Sequence, residues 1–316
     1  MRLVFMGSAE FAVPSLRAVV AAGHEVVGVV TQPDRPRGRG QQMAPTPVKQ
    51  LAERLQLPVW QPNKVRAEDF VALLREVNPE LIVVVAFGQI LSKDVLDIPK
   101  LGCINVHASL LPRYRGAAPI HWAIINGETK TGVTTMYMTE ELDAGDIIRQ
   151  SAVTIGDSVT VGEVHDQLAK VGADLLVQTL TEIQAGIAPR IPQDSHLVSY
   201  APPLKREHEK IDWQWSATRV KNLVRGLNPW PGAYTLAADQ ELKVWQAEIW
   251  PAVHDQSSKH SALPGEVVEI IKDRGFVVQT GGGLLLVTEV QPAGKQRMTG
   301  ADFCRGYRIK PGLRLG

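Results

Sequence analysis

Residues 81–90 read Leu-Ile-Val-Val-Val-Ala-Phe-Gly-Gln-Ile. Positions 81–86 hold no polar side chain, and four of them in a row are β-branched. A strand of this kind has no wet face, which is the signature of a parallel strand covered by helices on both sides. Working outward, residues 2–6, 25–31 and 103–106 are further apolar strands. Between them the period changes from continuous to helical. Residues 10–22 can set Phe11, Leu16, Val19 and Val20 on one face, with Pro14 in the first turns, where proline is tolerated, and Gly23 closing the run. Residues 47–57 and 67–77 read as helices around a short strand at 59–60. Residues 133–138 and 147–154 read as later strands, and 159–185 as a long closing helix. The alternation predicts a doubly wound α/β domain with a mostly parallel sheet, whose reactive site lies at the carboxyl ends of its strands.

The pattern changes after about residue 188. Residues 188–206 carry prolines without a period and read as a linker. From 211 a short helix, 216–226, precedes strands at 233–237, 242–250, 265–271, 275–280 and 284–290. The three glycines 281–283 mark a hairpin turn. Short, evenly spaced strands suggest a small OB-like β-barrel. The expected division is 1–189, a linker at 190–206, and 207–316.

Composition narrows the function classes. The chain of 316 residues carries 34 basic and 33 acidic side chains, so it is not basic throughout. Two cysteines, Cys103 and Cys304, are too few for a disulfide framework or a cysteine-built zinc site. The longest apolar run falls far short of the roughly 20 residues that span a bilayer. These features predict a cytoplasmic, monomeric protein with no metal. The first strand ends in Gly7-Ser8-Ala9-Glu10, not in the glycine fingerprint of dinucleotide folds, and no P-loop occurs.

The chemistry gathers in a few stretches. At 104–107, an apolar strand runs into Asn105-Val106-His107, and residues i and i+2 of a strand share a face. An isolated Asn-x-His is commonly a strand-end cap. Residues 141–147, Glu-Leu-Asp-Ala-Gly-Asp-Ile, form a turn-rich acidic loop before a strand. A carboxylate from it can hold His107 in one orientation and favour its charged form. Spacing leaves Asp143 and Asp146 equally placed. A basic loop, 31–49, contains Arg35, Arg37, Arg39 and Lys49 against Asp34, and the carboxyl-terminal stretch 290–316 contains Lys295, Arg297, Arg305, Arg308, Lys310 and Arg314 against Asp302. Both suit phosphate contact or a plain solvated surface.

Taken together, INVHASLLPRYRGAAPI (104–120), LDAGDI (142–147), TQPDRPRGRG (31–40), VVVAFGQIL (83–91), NPWPGAY (228–234) and QPAGK (291–295) resemble the formyltransferase family that uses 10-formyltetrahydrofolate. Within it, they resemble the branch acting on initiator tRNA charged with methionine. The resemblance implies transfer of a formyl group to the methionine α-amine, with Asn105, His107 and Asp143 as catalytic residues. It implies a folate site at Phe87, Gly88, Gln89, Ile90, Ser109, Leu110, Leu111, Pro112, Glu141 and Leu142. It implies tRNA contact at Arg35, Arg37, Arg39, Lys49, Lys295 and Arg297, by the loop on the acceptor stem and by the barrel on the RNA backbone. The chain departs from the family pattern at 8–10 and at Tyr114, where tryptophan is common. A formyltransferase of amino-sugar nucleotides shares the chemistry but has no use for extended basic surfaces. A glycinamide ribonucleotide formyltransferase would not need the second domain. An RNA-binding protein without catalysis would leave Asn105, His107 and Asp143 unexplained. A nicotinamide oxidoreductase is disfavoured by the missing glycine fingerprint.

Overall fold

The computed structural model describes residues 1–37, 42–251 and 262–316. They form two compact units, Met1–Pro119 with Lys130–Thr154 and His165–Ala201, and Ile120–Thr129 with Ile155–Val164 and Pro202–Gly316. The division is not a single cut, because two short segments from the first half of the chain pack with the second unit.

The first unit is built on β1 (Arg2–Gly7), β2 (Glu25–Val30), β3 (Arg35–Arg37), β4 (Gln42–Ala44), β5 (Val59–Trp60), β6 (Leu81–Val85), β7 (Cys103–His107), β8 (Lys130–Tyr137) and β9 (Ile147–Thr154). Seven of these form one sheet in the order β5-β2-β1-β6-β7-β8-β9. The pairs from β5 through β7 are parallel, and β8 and β9 run antiparallel. All five residues of β6 are buried, as the unbroken apolar run requires. Helices α1 (Val13–Ala21), α2 (Pro47–Arg54), α3 (Glu68–Val77), α4 (Lys93–Leu96) and the greater part of α6 (Val161–Ala185) belong to this unit, whereas α5 (Pro119–Ile125) lies almost wholly in a segment that packs with the second unit. The core beneath α3 and α4 takes Val4 and Met6 from β1, Ile82 and Val84 from β6, and Cys103 from β7. Alternation then places Asn105 and His107 on the Cys103 face, further toward the strand's carboxyl end. Chain order reverses at β1, between β2 and β6, which is where open α/β sheets leave a crevice for ligands.

Two features of this unit leave no pattern in the side chains. The basic loop is partly ordered as a ribbon, with Arg35 opposite Ala44, Pro36 opposite Met43 and Arg37 opposite Gln42. No apolar alternation announces it, and a two-stranded ribbon tolerates proline because each strand is an edge. The expected linker is also held against the first unit through Ala201. Ile191 exchanges two backbone hydrogen bonds with Ile147, at 2.8 and 3.0 Å. Arg115 N–H donates to the Ser199 carbonyl (2.8 Å), and Ala201 N–H donates to the Arg115 carbonyl (2.7 Å). Side-chain patterns carry no trace of such backbone pairing.

The second unit adds α7 (Arg206–Glu209), α8 (Ala217–Gly226), α9 (Gly300–Tyr307) and strands β10 (Ala233–Ala237), β11 (Gln240–Trp250), β12 (Val267–Ile271), β13 (Gly275–Gln279), β14 (Leu284–Pro292) and β15 (Met298–Thr299). The antiparallel order is β10-β11-β14-β13-β12, with β15 on β14. The 281–283 turn joins β13 to β14, pairing Gln279 with Leu284, and Gly283 adopts φ +93°. The carboxyl-terminal residues bridge the two ends of the ladder. Gly316 N–H donates to the Leu236 carbonyl (3.0 Å), and Leu315 N–H donates to the Gly265 carbonyl (2.8 Å). Residues expected only as a basic tail therefore close the sheet. Ser216 caps α8 by accepting from Arg219 N–H, and α8 buries Val220, Leu223 and Val224.

Candidate active site

Asn105 and His107 end β7, opposite Met136 and Thr134 of β8. Asn105 is half-buried, and among the described residues its side-chain amide makes no hydrogen bond. An amide left unengaged at the carboxyl end of a sheet strand is available to donate to a ligand. His107 is 6% exposed. Its Nε2 lies 2.9 Å from the Tyr114 carbonyl oxygen. A carbonyl only accepts, so Nε2 carries a hydrogen and donates it. The other ring nitrogen, Nδ1, faces Asp143 Oδ2 at 3.6 Å.

The acidic loop resolves the choice that spacing left open. Asp143 is the carboxylate turned to His107, its side chain 11% exposed, and Oδ2 also accepts from Gly116 N–H at 2.8 Å. Asp146 instead pairs with Arg190 at 3.7 Å. Asp143 sits at φ +49°, a left-handed conformation that aspartate tolerates better than most residues. The ring is thus oriented by a backbone carbonyl as well as by the carboxylate. With Nε2–H on Tyr114, His107 is placed to exchange a proton at Nδ1 rather than to aim Nε2–H at a reacting oxygen.

Three residues absent from the sequence reading support this arrangement. Arg115, 6% exposed, directs Nε (3.1 Å) and Nη2 (2.8 Å) to Gln193 Oε1. Gln193 Nε2 donates to the carbonyls of Asp143 and Gly145, both at 2.8 Å. Ser199 Oγ accepts from Tyr114 N–H at 2.9 Å. Arginine within the RYRG stretch was a visible signal. Gln193 and Ser199 lie in the irregular stretch and gave none.

The residues expected at a folate site divide by what they do. Phe87 is buried, and its carbonyl accepts from Ser8 Oγ (3.2 Å) and Gln32 Nε2 (3.3 Å), tying the ends of β1, β2 and β6 together. Gly88 takes φ +84°, which favours glycine. Gln89 is engaged internally, accepting from Val65 N–H at 2.9 Å. Ile90 is 80% exposed and Leu142 56%, two apolar side chains left uncovered. Ser109 Oγ donates to the Arg113 carbonyl (2.6 Å), which curls the 109–113 turn, and the Leu111–Pro112 bond is cis. Thr134 Oγ1 donates to the Ser109 carbonyl (2.6 Å) and accepts from Leu111 N–H (3.1 Å). Gln150 Nε2 donates to the Leu111 carbonyl (2.8 Å). Leu110 is half-buried against Gly132, where an added Cβ would come within 2.5 Å of Leu110 Cδ2. Glu141 is exposed and lies 3.4 Å from Arg115 Nη1.

Among the expected RNA contacts, Arg35 is exposed. Arg37 belongs to β3, and Arg39 lies outside the described residues. Lys49 is the exception to the pattern. Its ammonium sits 2.7 Å from Asp34 Oδ2, so its charge is largely answered within the protein. The Lys49 ammonium and then the Gln61 amide hold the Asp34 carboxyl below the usual carboxylate range. Lys295 is exposed, and the Arg297 guanidinium carbon lies over the Trp245 ring, 3.6 Å from its centroid. Among the described residues no group of three or more His, Cys, Asp or Glu is arranged to hold a metal ion, and no helix is long and apolar enough to cross a membrane.

The fold is that of a formyl-transferring protein, and the comparisons show the family. Residues 1–180 match the formyl transferase family, and residues 203–308 match the formyl transferase C-terminal domain. The chain belongs to the formyl transferase family. It is 57% identical to the methionyl-tRNA formyltransferase of Moorella thermoacetica over 316 residues, covering 100% of this chain and 99% of that one. It is 54% identical to the methionyl-tRNA formyltransferase of Pelotomaculum thermopropionicum, again over 316 residues, 100% of this chain and 99% of that one. Among solved structures, HypX from Aquifex aeolicus in complex with tetrahydrofolic acid matches with TM-score 0.61 and 18% identity, over 96% of this chain and 47% of that one. An N-formyltransferase from Helicobacter canadensis, in complex with folinic acid and dTDP-3-aminofucose, matches with TM-score 0.63 and 16% identity, over 92% and 99%. At these identities the structural matches establish the fold.

Proposed function

We propose that the protein transfers the formyl group of 10-formyltetrahydrofolate to the α-amino group of methionine carried on initiator tRNA, the step that readies this tRNA for translation initiation. The observation that carries the chemistry is the unengaged Asn105 amide on the same strand face as His107, whose Nδ1 is turned to Asp143 at 3.6 Å. The tRNA acceptor is supported by relatives of that name with 57% and 54% identity over essentially full length. The neighbour in complex with an amino-sugar nucleotide shares only 16% identity.

In this reading the amine nitrogen attacks the formyl carbon, and the carbonyl electrons move to oxygen. Asn105 Nδ2–H donates to that oxygen as charge develops, a contact whose loss typically costs about 10²–10³ in rate. The intermediate collapses with breakage of the bond from carbon to the folate nitrogen. The amine loses one proton and the folate nitrogen gains one, so the reaction is proton-neutral. Asp143, with His107 Nδ1 beside it, relays that proton. Tyr114 and Gly116 keep the pair in register by backbone hydrogen bonds. The pterin end of the carrier lies by Phe87–Ile90 and Glu141–Asp143, where exposed Ile90 and Leu142 offer apolar contact. Residues 109–112 line the remainder. Arg35, Arg37, Arg39 and Lys49 meet the acceptor stem, and Lys295 and Arg297 meet RNA phosphates.

The test offers 10-formyltetrahydrofolate with methionyl initiator tRNA and, in parallel, an amino-sugar nucleotide. Formylation of the tRNA alone is the expected result. Formylation of the sugar alone would keep the Asn105–His107–Asp143 chemistry and discard the RNA reading.

A further inference from the structure

Asp143 can work only where its loop is held, and the side chain of Gln193 holds the loop's backbone from outside it. Both hydrogens of the Gln193 amide are engaged, on the carbonyls of Asp143 and Gly145 at 2.8 Å each. Its oxygen receives two hydrogens from Arg115, at 3.1 and 2.8 Å. Arginine has donors only and the two carbonyls are acceptors only, so the amide can sit one way round and no other. The buried guanidinium on Oε1 polarises the amide and strengthens what Nε2 donates. Glu141 reaches Arg115 at 3.4 Å but is exposed, so it adds little. Backbone pairing fixes the chain on both sides of Gln193, at Ile191 with Ile147 and at Ser199 and Ala201 with Arg115. The result is a continuous connection from buried Arg115 through Gln193 to the backbone of the left-handed Asp143, and from its carboxylate to Gly116 N–H and the His107 face.

We infer that Gln193, oriented by Arg115, is a positioning residue for formyl transfer. It sets the Asp143 loop so that the carboxylate meets His107, and it touches neither substrate. The inference rests on the proposed function for its kinetic consequence, but not for the geometry it asserts.

The test uses the full-length protein with Gln193→Met, which keeps length and removes these four hydrogen bonds without adding charge. Gln193→Glu serves as a second variant that still accepts from Arg115 but no longer donates, in case the first fails to fold. Turnover and both KM values are measured beside the nitrogen NMR signals of the His107 ring at one fixed pH, in Gln193→Met and in Asp143→Asn. The expected result is a kcat lowered about 100-fold, the scale of a displacement near 1 Å in an active site. The KM for methionyl-tRNA should stay within about twofold, while the KM for the folate rises with the displaced loop that carries Glu141 and Leu142. The His107 Nδ1 signal should move in Gln193→Met in the direction it moves in Asp143→Asn, because both take the carboxylate away from that nitrogen. An unmoved signal overturns the inference, whatever happens to turnover. So does a loss of kcat/KM carried by the KM for tRNA, which a general loosening would give. A moved signal in a protein that does not formylate tRNA would reject the proposed function and leave the positioning intact.

Discussion

His107 donates its Nε2 hydrogen to the carbonyl of Tyr114, 2.9 Å away, so the nitrogen it turns to Asp143 is Nδ1. Tyr114 itself stands at φ +61°, and its N–H is received by Ser199 Oγ at 2.9 Å. A turn in an uncommon conformation is thus held from the 191–201 segment, and it fixes the tautomer of the histidine it faces. The remaining ring nitrogen, Nδ1, is the one beside the carboxylate.

Asn105 should separate catalysis from stability. Because its amide has no hydrogen bond to the described residues, Asn105→Ala leaves no protein group unsatisfied, and stability should change by no more than about 0.5 kcal/mol. Formyl transfer should fall by about 10²–10³. Asp143→Ala should behave differently, since it also strips Gly116 N–H of its acceptor, at about 1–3 kcal/mol. Single-turnover transfer and thermal melting on the same preparations check both. Near-normal transfer by Asn105→Ala would remove it from the oxyanion role.

The cations of the second unit are not equivalent. Arg297 lies over Trp245 with no acidic partner among the described residues, so its charge is left for a phosphate. Arg274 also stacks on a tryptophan, Trp250, but donates to Glu248 at 2.8 Å. Arg297→Ala should weaken tRNA binding and reduce the slope of log K against log salt by about one. Arg274→Ala should alter that slope far less, because Glu248 already answers the charge. Binding measured between roughly 50 and 200 mM salt decides, and equal slopes for the two variants would refute the distinction.

How much of this was legible depends on what kind of interaction carried it. The buried β6 and the shared face of Asn105 and His107 follow from periodicity, which side-chain types record directly. The choice of Asp143 over Asp146 needed geometry, because a turn can aim either one. Gln193 and Ser199 escaped notice since the 188–206 stretch has no period, and their partners are mostly backbone atoms that every residue possesses. The 35–44 ribbon escaped for a related reason, its pairing being backbone to backbone under charged and proline side chains. Lys49 shows a different limit. Its partner Asp34 is visible in the same stretch, but net charge counts both and says nothing about which cation is answered.

Neither cysteine should be reactive in the folded protein. Burial pushes the Cys103 thiol up to about 12 and the Cys304 thiol up to about 11. Since the thiolate is the reacting species, the fraction present near pH 8 is very small, and both sulfurs are buried besides. A disulfide-exchange reagent at pH 8 should therefore titrate no thiol until denaturant is added, then two. Formyl transfer should survive the reagent. Rapid labelling of either thiol in the native protein would contradict the packing of β7 or α9.

The contact between Asp34 and Lys49 should appear as a pH dependence of stability with a definite sign. Lys49, and after it Gln61, hold the folded carboxyl below its usual value, so the folded state binds a proton less readily than the unfolded chain does. The stabilisation is therefore complete above the unfolded aspartate value of about 3.9, and it is lost as pH falls through the lower folded value. Asp34→Asn should melt below the wild type at pH 7, and the gap should narrow as the solution is acidified through that window. The same contact predicts that Lys49→Ala weakens tRNA binding less than Arg35→Ala does, because Lys49 already has a carboxylate at 2.7 Å, whereas among the described residues Arg35 reaches the neutral Gln32 amide at 3.5 Å. If Lys49→Ala proved the more damaging to binding while leaving the melting curve at pH 7 unchanged, Asp34 would not be its partner in solution, and Lys49 would carry more of the RNA contact than Arg35.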